Sequence, residues 1–330
     1  MKKEKLHEKV VFKNMRELVE WIGNTYGEKI AYSYRKDPVK GAIISKSFVQ
    51  MRDDIRALAT KLVEMGCTGK KSVIFGKYSY EWIVMYFSVL SIGGILVPLD
   101  KDWQGEDLAE TALTAEADFV FCDKELSEKA AKIAEKVKLF TTPCYLNAEE
   151  SEENSVAGLI TAGKAMFEAS QDAYFNAVID PLALGLLVFT SGTTGKGKGV
   201  MLSQNAILED MSDVIPYIDF GNKTLGLLPL HHTYGSSVMI VGHAMIGCEV
   251  YISSGLRYIM KELKEQQPEH LVLVPLYIEN FYRKILANAK DTGKEKTLFK
   301  MMKISNFLRK FGIDLRRKFF KSVLAAFGGK

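Results

Sequence analysis

The chain has 330 residues and a formal net charge of +4, with 47% hydrophobic and 25% charged residues. This length suits one large domain or two ordinary domains, and the hydrophobic content is enough for a sizeable core. The charge does not indicate nucleic-acid binding, and no apolar run reaches the ~20 residues of a membrane-spanning helix.

The N-terminus and the cysteines predict an intracellular protein. Four of the first seven residues are charged, and no apolar core of a secretory signal follows them. The cysteines at positions 67, 122, 144 and 248 are far apart and form no CxxC pair. We therefore expect buried, reduced thiols in a cytoplasmic protein, and neither disulfides nor a zinc site.

Helices and strands are predicted to alternate along the first half of the chain. Asn14 is a good N-cap for an amphipathic helix that begins at Met15. Two strands, around residues 32–34 and 42–44, precede a second helix that Gly66 ends. Three short apolar runs with helical stretches between them follow at residues 72–75, 95–99 and 119–122.

The second half continues this pattern and then becomes helical. Further strands are predicted at residues 182–189, 225–228, 250–252 and 271–274, and helices at 277–287, 298–311 and 315–327. The alternation predicts an α/β fold of mostly parallel sheets flanked by helices on both faces, with ligands bound at the carboxyl ends of strands. We expect two packed α/β subdomains.

One loop has the composition of a phosphate-binding site. Residues 188–202 read VFTSGTTGKGKGVML, an apolar strand followed by glycines, hydroxyls and lysines. Glycines let the backbone approach a ligand closely, and successive N–H groups form a concave anion site. Hydroxyl and ammonium groups add further donors. A surface loop without a ligand is the alternative, but such a loop rarely combines these residues behind a buried strand.

A P-loop NTPase is the competing interpretation of this segment. Residues 192–198 match GxxxxGK, but Gly199 stands where a Mg²⁺-binding Ser or Thr is needed. A P-loop also leads directly into a helix, whereas residues 200–202 favour a strand before the next N-cap, Ser203. We therefore disfavour this interpretation.

Residues 190–199, TSGTTGKGKG, resemble the signature loop of the AMP-forming acyl-adenylate superfamily. That superfamily includes acyl-CoA synthetases, luciferases and adenylation domains. The resemblance extends from about residue 15 to the end of the chain and is strongest to long-chain fatty acyl-CoA synthetases. Gly197 replaces the family's usual proline, so this loop is expected to be more flexible. The resemblance implies that ATP is bound by Thr190, Ser191, Gly192, Thr193, Thr194, Gly195 and Lys198.

Two further stretches match the family. Residues 77–100 resemble an early core motif, which we interpret as architecture. Residues 228–235, LPLHHTYG, resemble a motif that places a histidine or aromatic residue beside the acyl group and the α-phosphate. By position His232 is the catalytic residue, although capping or solvated histidines are the alternative for this pair. The substrate pocket is expected to contain His231, Tyr234, Gly235 and Gly242.

The resemblance implies an acid–thiol ligase that uses ATP, Mg²⁺ and coenzyme A. A fatty acid carboxylate would attack the α-phosphorus of ATP to give acyl-AMP and pyrophosphate, and the coenzyme A thiol would then attack the acyl group. The family's Thr-Glu pair, ribose-binding Asp, hinge and late catalytic Lys have no match after Gly199. We therefore expect an N-terminal region without the rest of the large domain or the small C-terminal domain. Alone it should not form acyl-AMP.

No metal ligand is assigned within the chain, and two alternatives remain open. A degenerate domain that binds a nucleotide or an acyl group without catalysis also explains the motifs. Residues 300–321 contain eight basic residues and one acid, Asp314, around an apolar stripe that includes Phe307. Such a helix can make a weak peripheral contact with an anionic membrane. A solvated face over a buried stripe explains the same pattern and is favoured.

Overall fold

The computed structural model describes residues 6, 8–152, 154–190 and 197–329. Its helices are α1 Met15–Tyr26, α2 Phe48–Glu64, α3 Tyr80–Ser91, α4 Gly105–Thr114, α5 Ser127–Lys136, α6 Val156–Ala169, α7 Asp172–Phe175, α8 Gln204–Val214, α9 His243–Met245, α10 Ile259–Gln266, α11 Pro275–Asp291, α12 Glu295–Arg309, α13 Arg316–Phe319 and α14 Lys321–Ala326. Short 3₁₀ turns lie at Lys124–Leu126 and Ile215–Tyr217, and a π-helix at Gly235–Gly242.

The strands form two sheets. They are β1 Ile30–Arg35, β2 Ile43–Ser47, β3 Lys71–Phe75, β4 Ile95–Pro98, β5 Phe119–Cys122, β6 Cys144–Tyr145, β7 Leu184–Thr190, β8 Lys198–Ser203, β9 Lys223–Gly226 and β10 Glu249–Ile252. A six-stranded sheet has the order β6-β5-β3-β4-β7-β8, and a four-stranded sheet the order β2-β1-β10-β9.

The six-stranded sheet confirms the predicted fold class. Its first five strands run parallel, and β8 pairs antiparallel with β7. On one face Val73 and Phe75 pack in a core with residues of α4 and α5. Ile74 and Leu96 point to the opposite face and are also fully buried. Apolar strands buried on both faces are typical of parallel sheets covered by helices.

The chain divides into two compact units. The first contains residues 1–33, 44–219 and 229–249, and the second residues 34–43, 220–228 and 250–330. In the second unit Leu225 and Tyr251 pack against residues of α10 and α11, including Leu263 and Phe281. Whether the protein has two packed functional subdomains stays a prediction.

Helix starts follow the predicted capping residues. The side chain of Asn14 accepts a hydrogen bond from the backbone N–H of Glu17, and that of Ser203 from Ala206. Gly66 follows α2 with a φ of +84°, a conformation that favours glycine. Local hydrogen-bonding chemistry therefore sets these helix ends, as the sequence indicated.

Two predicted elements were wrong. Residues 271–274 form no strand, and His270 makes only an isolated parallel bridge with Thr224. Leu271 and Leu273 instead pack against the core of the second unit, and Val272 is buried, so burial without strand pairing explains this apolar run. The single helix predicted over residues 315–327 is divided at Phe320, whose backbone leaves the helical region at φ −111° and ψ 26°.

The cysteines are free and buried, as predicted. Burial raises the pKa of Cys122 to about 12 and that of Cys144 to about 11. These thiols therefore stay protonated near neutral pH and are poor nucleophiles. In the described part of the chain, none of the helices has the length and apolar character needed to cross a bilayer.

Candidate functional site

The glycine-rich loop lies between β7 and β8. Thr190 at the end of β7 pairs with Lys198 at the start of β8, so the two strands form an antiparallel hairpin. Five predicted phosphate-binding residues lie outside the described residues, namely Ser191, Gly192, Thr193, Thr194 and Gly195. A strand follows the loop, as predicted, where a P-loop requires a helix.

Both flanks of the loop present polar side chains to solvent. Thr190 is exposed, and its Oγ1 donates to the backbone oxygen of Lys198 at 3.5 Å. The Lys198 ammonium is also exposed and has no carboxylate partner within the described ranges. A Cβ at Gly199 would lie 3.0 Å from Cδ1 of Leu187, so the glycine lets β8 lie close to β7.

The end of β4 lies beside the end of β7. Leu96 in β4 pairs with Leu186 in the parallel strand β7. Thr190 is the last residue of β7, and Asp100 follows the last residue of β4, Pro98, by two positions, so both lie at the carboxyl ends of these neighbouring strands. One Asp100 oxygen accepts the backbone N–H of Asp102 at 2.9 Å and so holds the turn after β4.

His231 lies at this same edge. Its Nε2 is 3.7 Å from Oδ2 of Asp100, and their side chains are 19% and 27% exposed. The rings of His231 and His232 have their centroids 4.1 Å apart. Burial lowers the pKa of His231 below 6.5, and His232 lowers it further, whereas Asp100 and Asp102 raise it. Since burial dominates, His231 is mainly neutral at pH 7.

The predicted catalytic residue His232 stands at the start of a helical segment. Its backbone oxygen accepts the N–H of Ser236 at 2.9 Å. The segment continues as the π-helix Gly235–Gly242, a geometry that often marks functional sites. A Cβ at Gly235 would overlap the carbonyl oxygen of Pro229, so only glycine permits the tight turn that presents His232.

The other predicted pocket residues have different surroundings. Tyr234 is 51% exposed beside His232. Gly242 is buried, and a Cβ there would lie 3.2 Å from the Met211 sulfur in α8. Large residues at position 242 would therefore meet α8 first. The acyl-binding roles of both residues stay predictions.

Asp100 lies beside a predicted site residue but was not itself predicted. The sequence predicts an architectural role for residues 77–100, although Asp100 closely follows a buried strand at the edge where ligands bind. That position was an available signal. Its proximity to His231, 131 positions away, could not be derived from the linear order of the motifs.

A model of the AMP-binding enzyme family matches residues 19–328. The chain belongs to this family. The long-chain-fatty-acid–CoA ligase FadD15 of Mycobacterium bovis is 26% identical over 253 residues, covering 74% of this chain and 41% of that ligase. The chloroplastic long-chain-fatty-acid–acyl-carrier-protein ligase AEE15 of Arabidopsis thaliana is 26% identical over 281 residues, covering 79% of this chain and 38% of that ligase.

Solved structures of adenylate-forming enzymes share the fold. The A domain of carboxylic acid reductase from Segniliparus rugosus, in complex with AMP and a co-purified carboxylic acid, is 16% identical with a TM-score of 0.72. That match covers 85% of this chain and 51% of the A domain. The luciferase-like enzyme from Zophobas morio is 15% identical with a TM-score of 0.69, covering 84% of this chain and 63% of that enzyme.

These findings confirm the predicted family and its resemblance to long-chain fatty acyl ligases. The chain spans about two fifths of the length of the two curated relatives, 41% and 38%. The roles assigned to individual site residues stay predictions.

Proposed function

We propose that this AMP-binding enzyme chain supplies the phosphate-binding loop and part of the acyl site of an ATP-dependent acid–thiol ligase. The enzyme would join a fatty acid to AMP and then transfer the acyl group to coenzyme A. Family membership and the long-chain fatty acyl ligases among its relatives support this reaction class. Since the AEE15 relative is named for an acyl-carrier-protein acceptor, the acceptor requires a direct assay.

One observation carries the proposal. His231 lies beside Asp100 at the end of β4, and β4 is the neighbour of β7, which leads into the glycine-rich loop. The two motifs are about 40 residues apart in sequence, and the adjacency of β4 and β7 supports a common site for them at one carboxyl edge of the parallel sheet. Bound phosphates and an acyl carboxylate must meet within one such site for acyl-AMP to form.

The flanks of the loop fit a polyphosphate. The exposed hydroxyl of Thr190 and ammonium of Lys198 offer donors at the edge where the loop begins and ends. Lys198 would stabilise negative charge as pyrophosphate leaves, because an ammonium group forms strong, charge-assisted hydrogen bonds with phosphate oxygens. The neutral His231 ring would support His232, which would lie beside the reacting carboxylate.

We assign no Mg²⁺ ligand among the residues that the structure describes. One Asp100 oxygen is used by the N–H of Asp102, and the other faces His231. When bound with ATP, Mg²⁺ would neutralise part of the negative charge of the phosphates.

The two loop lysines provide the sharpest test. Lys198 occupies the family's lysine position, whereas Lys196 is expected to face solvent. In a protein of the relatives' full length, Lys198→Ala should weaken ATP binding by about 1.5–3 kcal/mol, because a charge-assisted hydrogen bond is lost. Calorimetric titration of ATP measures this loss, and Lys196→Ala is the matched control. An equal or larger loss at Lys196 would contradict the assignment.

Pyrophosphate release separates catalysis from binding alone. The full-length protein with ATP, Mg²⁺ and a panel of fatty acids should release pyrophosphate. Normal ATP binding without release for any acid would favour the non-catalytic nucleotide-binding alternative. We infer that the 330-residue chain alone releases none, because the loop and His232 do not fix the adenosine.

A further inference from the structure

The outer face of α12 combines exposed aromatic rings with lysines. Phe307 and Phe311 are 60% and 67% exposed, and Ile304 is 37% exposed. The two rings pack edge to face with centroids 5.2 Å apart, so they contact each other and remain open to solvent. Scattered apolar residues on a surface are ordinary, whereas an apolar group of this kind marks an interaction site.

Lysines share this face. An α-helix has 3.6 residues per turn, so Lys300, Lys303, Ile304 and Phe307 lie within an arc of about 100°. Lys310 and Phe311 follow the last residue of α12, and the contact between the Phe307 and Phe311 rings keeps Phe311 on this side. The three lysines are exposed and have no ion-pair partner in the described part of the chain. These residues define the basic aromatic face.

The favoured alternative from the sequence, a solvated face over a buried stripe, accounts for the inner side of this helix. Ser305 is the one buried residue of α12, and the partly buried Leu298, Met301 and Leu308 lie on its side of the helix. This alternative does not account for the exposed rings of Phe307 and Phe311. The basic aromatic face lies on the opposite side of the helix from Ser305. Helix α12 therefore has a partly buried apolar side and a second, exposed side that also carries apolar residues.

The end of α12 holds the outer rings in place. The N–H of Ile313 donates to the oxygen of Leu308 at 3.2 Å, and that of Gly312 to Arg309 at 3.1 Å. Gly312 has a φ of +77°. This hydrogen-bond pattern stops a helix sharply and fixes the chain around Phe311.

Charge identifies the occupant of this face. Residues 300–321 contain eight basic residues and one acid, so their excess positive charge is larger than the +4 of the whole chain. The one acid, Asp314, is paired with Arg316 at 2.6 Å. We propose that the basic aromatic face binds an anionic lipid bilayer, with its lysines at the headgroups and its rings among the upper acyl chains.

Vesicle sedimentation tests the proposal with the 330-residue chain. We expect binding to phosphatidylcholine vesicles that contain phosphatidylglycerol at low salt, weak binding to phosphatidylcholine alone, and loss of binding at high salt because surface charge is screened. K303E/K310E should weaken binding by at least about 20-fold, since each basic residue near the surface contributes roughly fivefold. F307S/F311S should weaken it by about tenfold, because apolar burial is lost.

Matched variants control for charge and apolarity. K138E/K164E makes the same charge change at exposed positions of the first unit, and L113S/V178S removes two exposed apolar side chains there. Both should bind vesicles like the unmodified chain. Failure to bind anionic vesicles at low salt would overturn the proposal. Equal losses of vesicle binding in the control variants would also overturn it. A third contrary result would be that F307S/F311S changes only self-association, measured by analytical ultracentrifugation, and not vesicle binding.

Discussion

Helices α3 and α12 show how differently two apolar-rich helices can be used. In α3 every residue except Glu81 is buried, and Trp82 stacks on Tyr86 within the first unit. In α12 the one buried residue is Ser305, and Phe307 is exposed. The sequence predicts a helix in both segments, α3 as a helical stretch between two apolar runs and α12 within residues 298–311. The prediction of a helix does not say how much of its surface is covered.

The distribution of charge explains the difference. Helix α3 has one charged residue, whereas α12 has charged residues on several sides. Burying an unpaired lysine is strongly unfavourable, so a helix with this pattern must keep much of its surface at water or at another polar boundary. A helix that is apolar on all sides must instead be buried.

The largest expected difference comes from matched phenylalanines. Phe87 in α3 is fully buried, so Phe87→Ala should lower the free energy of unfolding by about 3–5 kcal/mol through lost burial and a cavity. Phe307→Ala in α12 should change it by less than about 0.5 kcal/mol. Urea unfolding followed by tryptophan fluorescence and circular dichroism measures both. Similar losses would show that α12 packs as tightly as α3.

The glycines that follow the two helices should differ less in the stability cost of substitution by alanine. Gly93 follows α3 with a φ of +72°, and Gly312 follows α12 with +77°. A Cβ at Gly93 would overlap the carbonyl oxygen of Val178, whereas one at Gly312 meets nothing within 4 Å. Gly312→Ala should cost about 1 kcal/mol for the backbone conformation. Gly93→Ala should cost about 2–4 kcal/mol, because overpacking adds to that strain. Equal midpoint shifts in urea would contradict this packing difference.

The smallest expected effect is a pH dependence in the first unit. Burial lowers the pKa of His231, so the folded chain binds a proton less readily than the unfolded chain. The contribution of neutral His231 to the free energy of unfolding is fully present above the ordinary pKa of 6.5. This contribution decreases as the pH falls below that value. Hydrogen exchange between pH 7.5 and 5.5 should show amides of α3, which lies in the same unit as His231, losing protection as the pH falls. Burial also lowers the pKa of His270 in the unit of α12, so a dependence of the same sign is expected there.

His231→Asn separates this effect from general acid destabilisation. In this variant the protection of α3 amides should depend less on pH below pH 6.5 and should match that of the unmodified chain above pH 7. If the variant and the unmodified chain lose protection equally below pH 6.5, His231 does not titrate differently on folding.

Local chemistry in the sequence determined much of the fold and the family. The N-cap residues Asn14 and Ser203, the apolar runs of β3, β4, β5 and β7, and the glycine-rich loop each depend on neighbouring residues. Hydrogen bonds and side-chain periodicity of this kind act over a few positions. They can therefore be predicted without knowing how the chain returns on itself.

The tertiary structure alone decided which distant residues meet. The order of strands in the six-stranded sheet places β4 beside β7, and the fold of the first unit brings Asp100 near His231, although the intervening chain is long. The tertiary structure also leaves residues 271–274 without the strand pairing that their apolar run predicted. Strand pairing and burial depend on the segment that packs against a strand or helix. That segment is distant in sequence, so the local pattern of residues does not identify it.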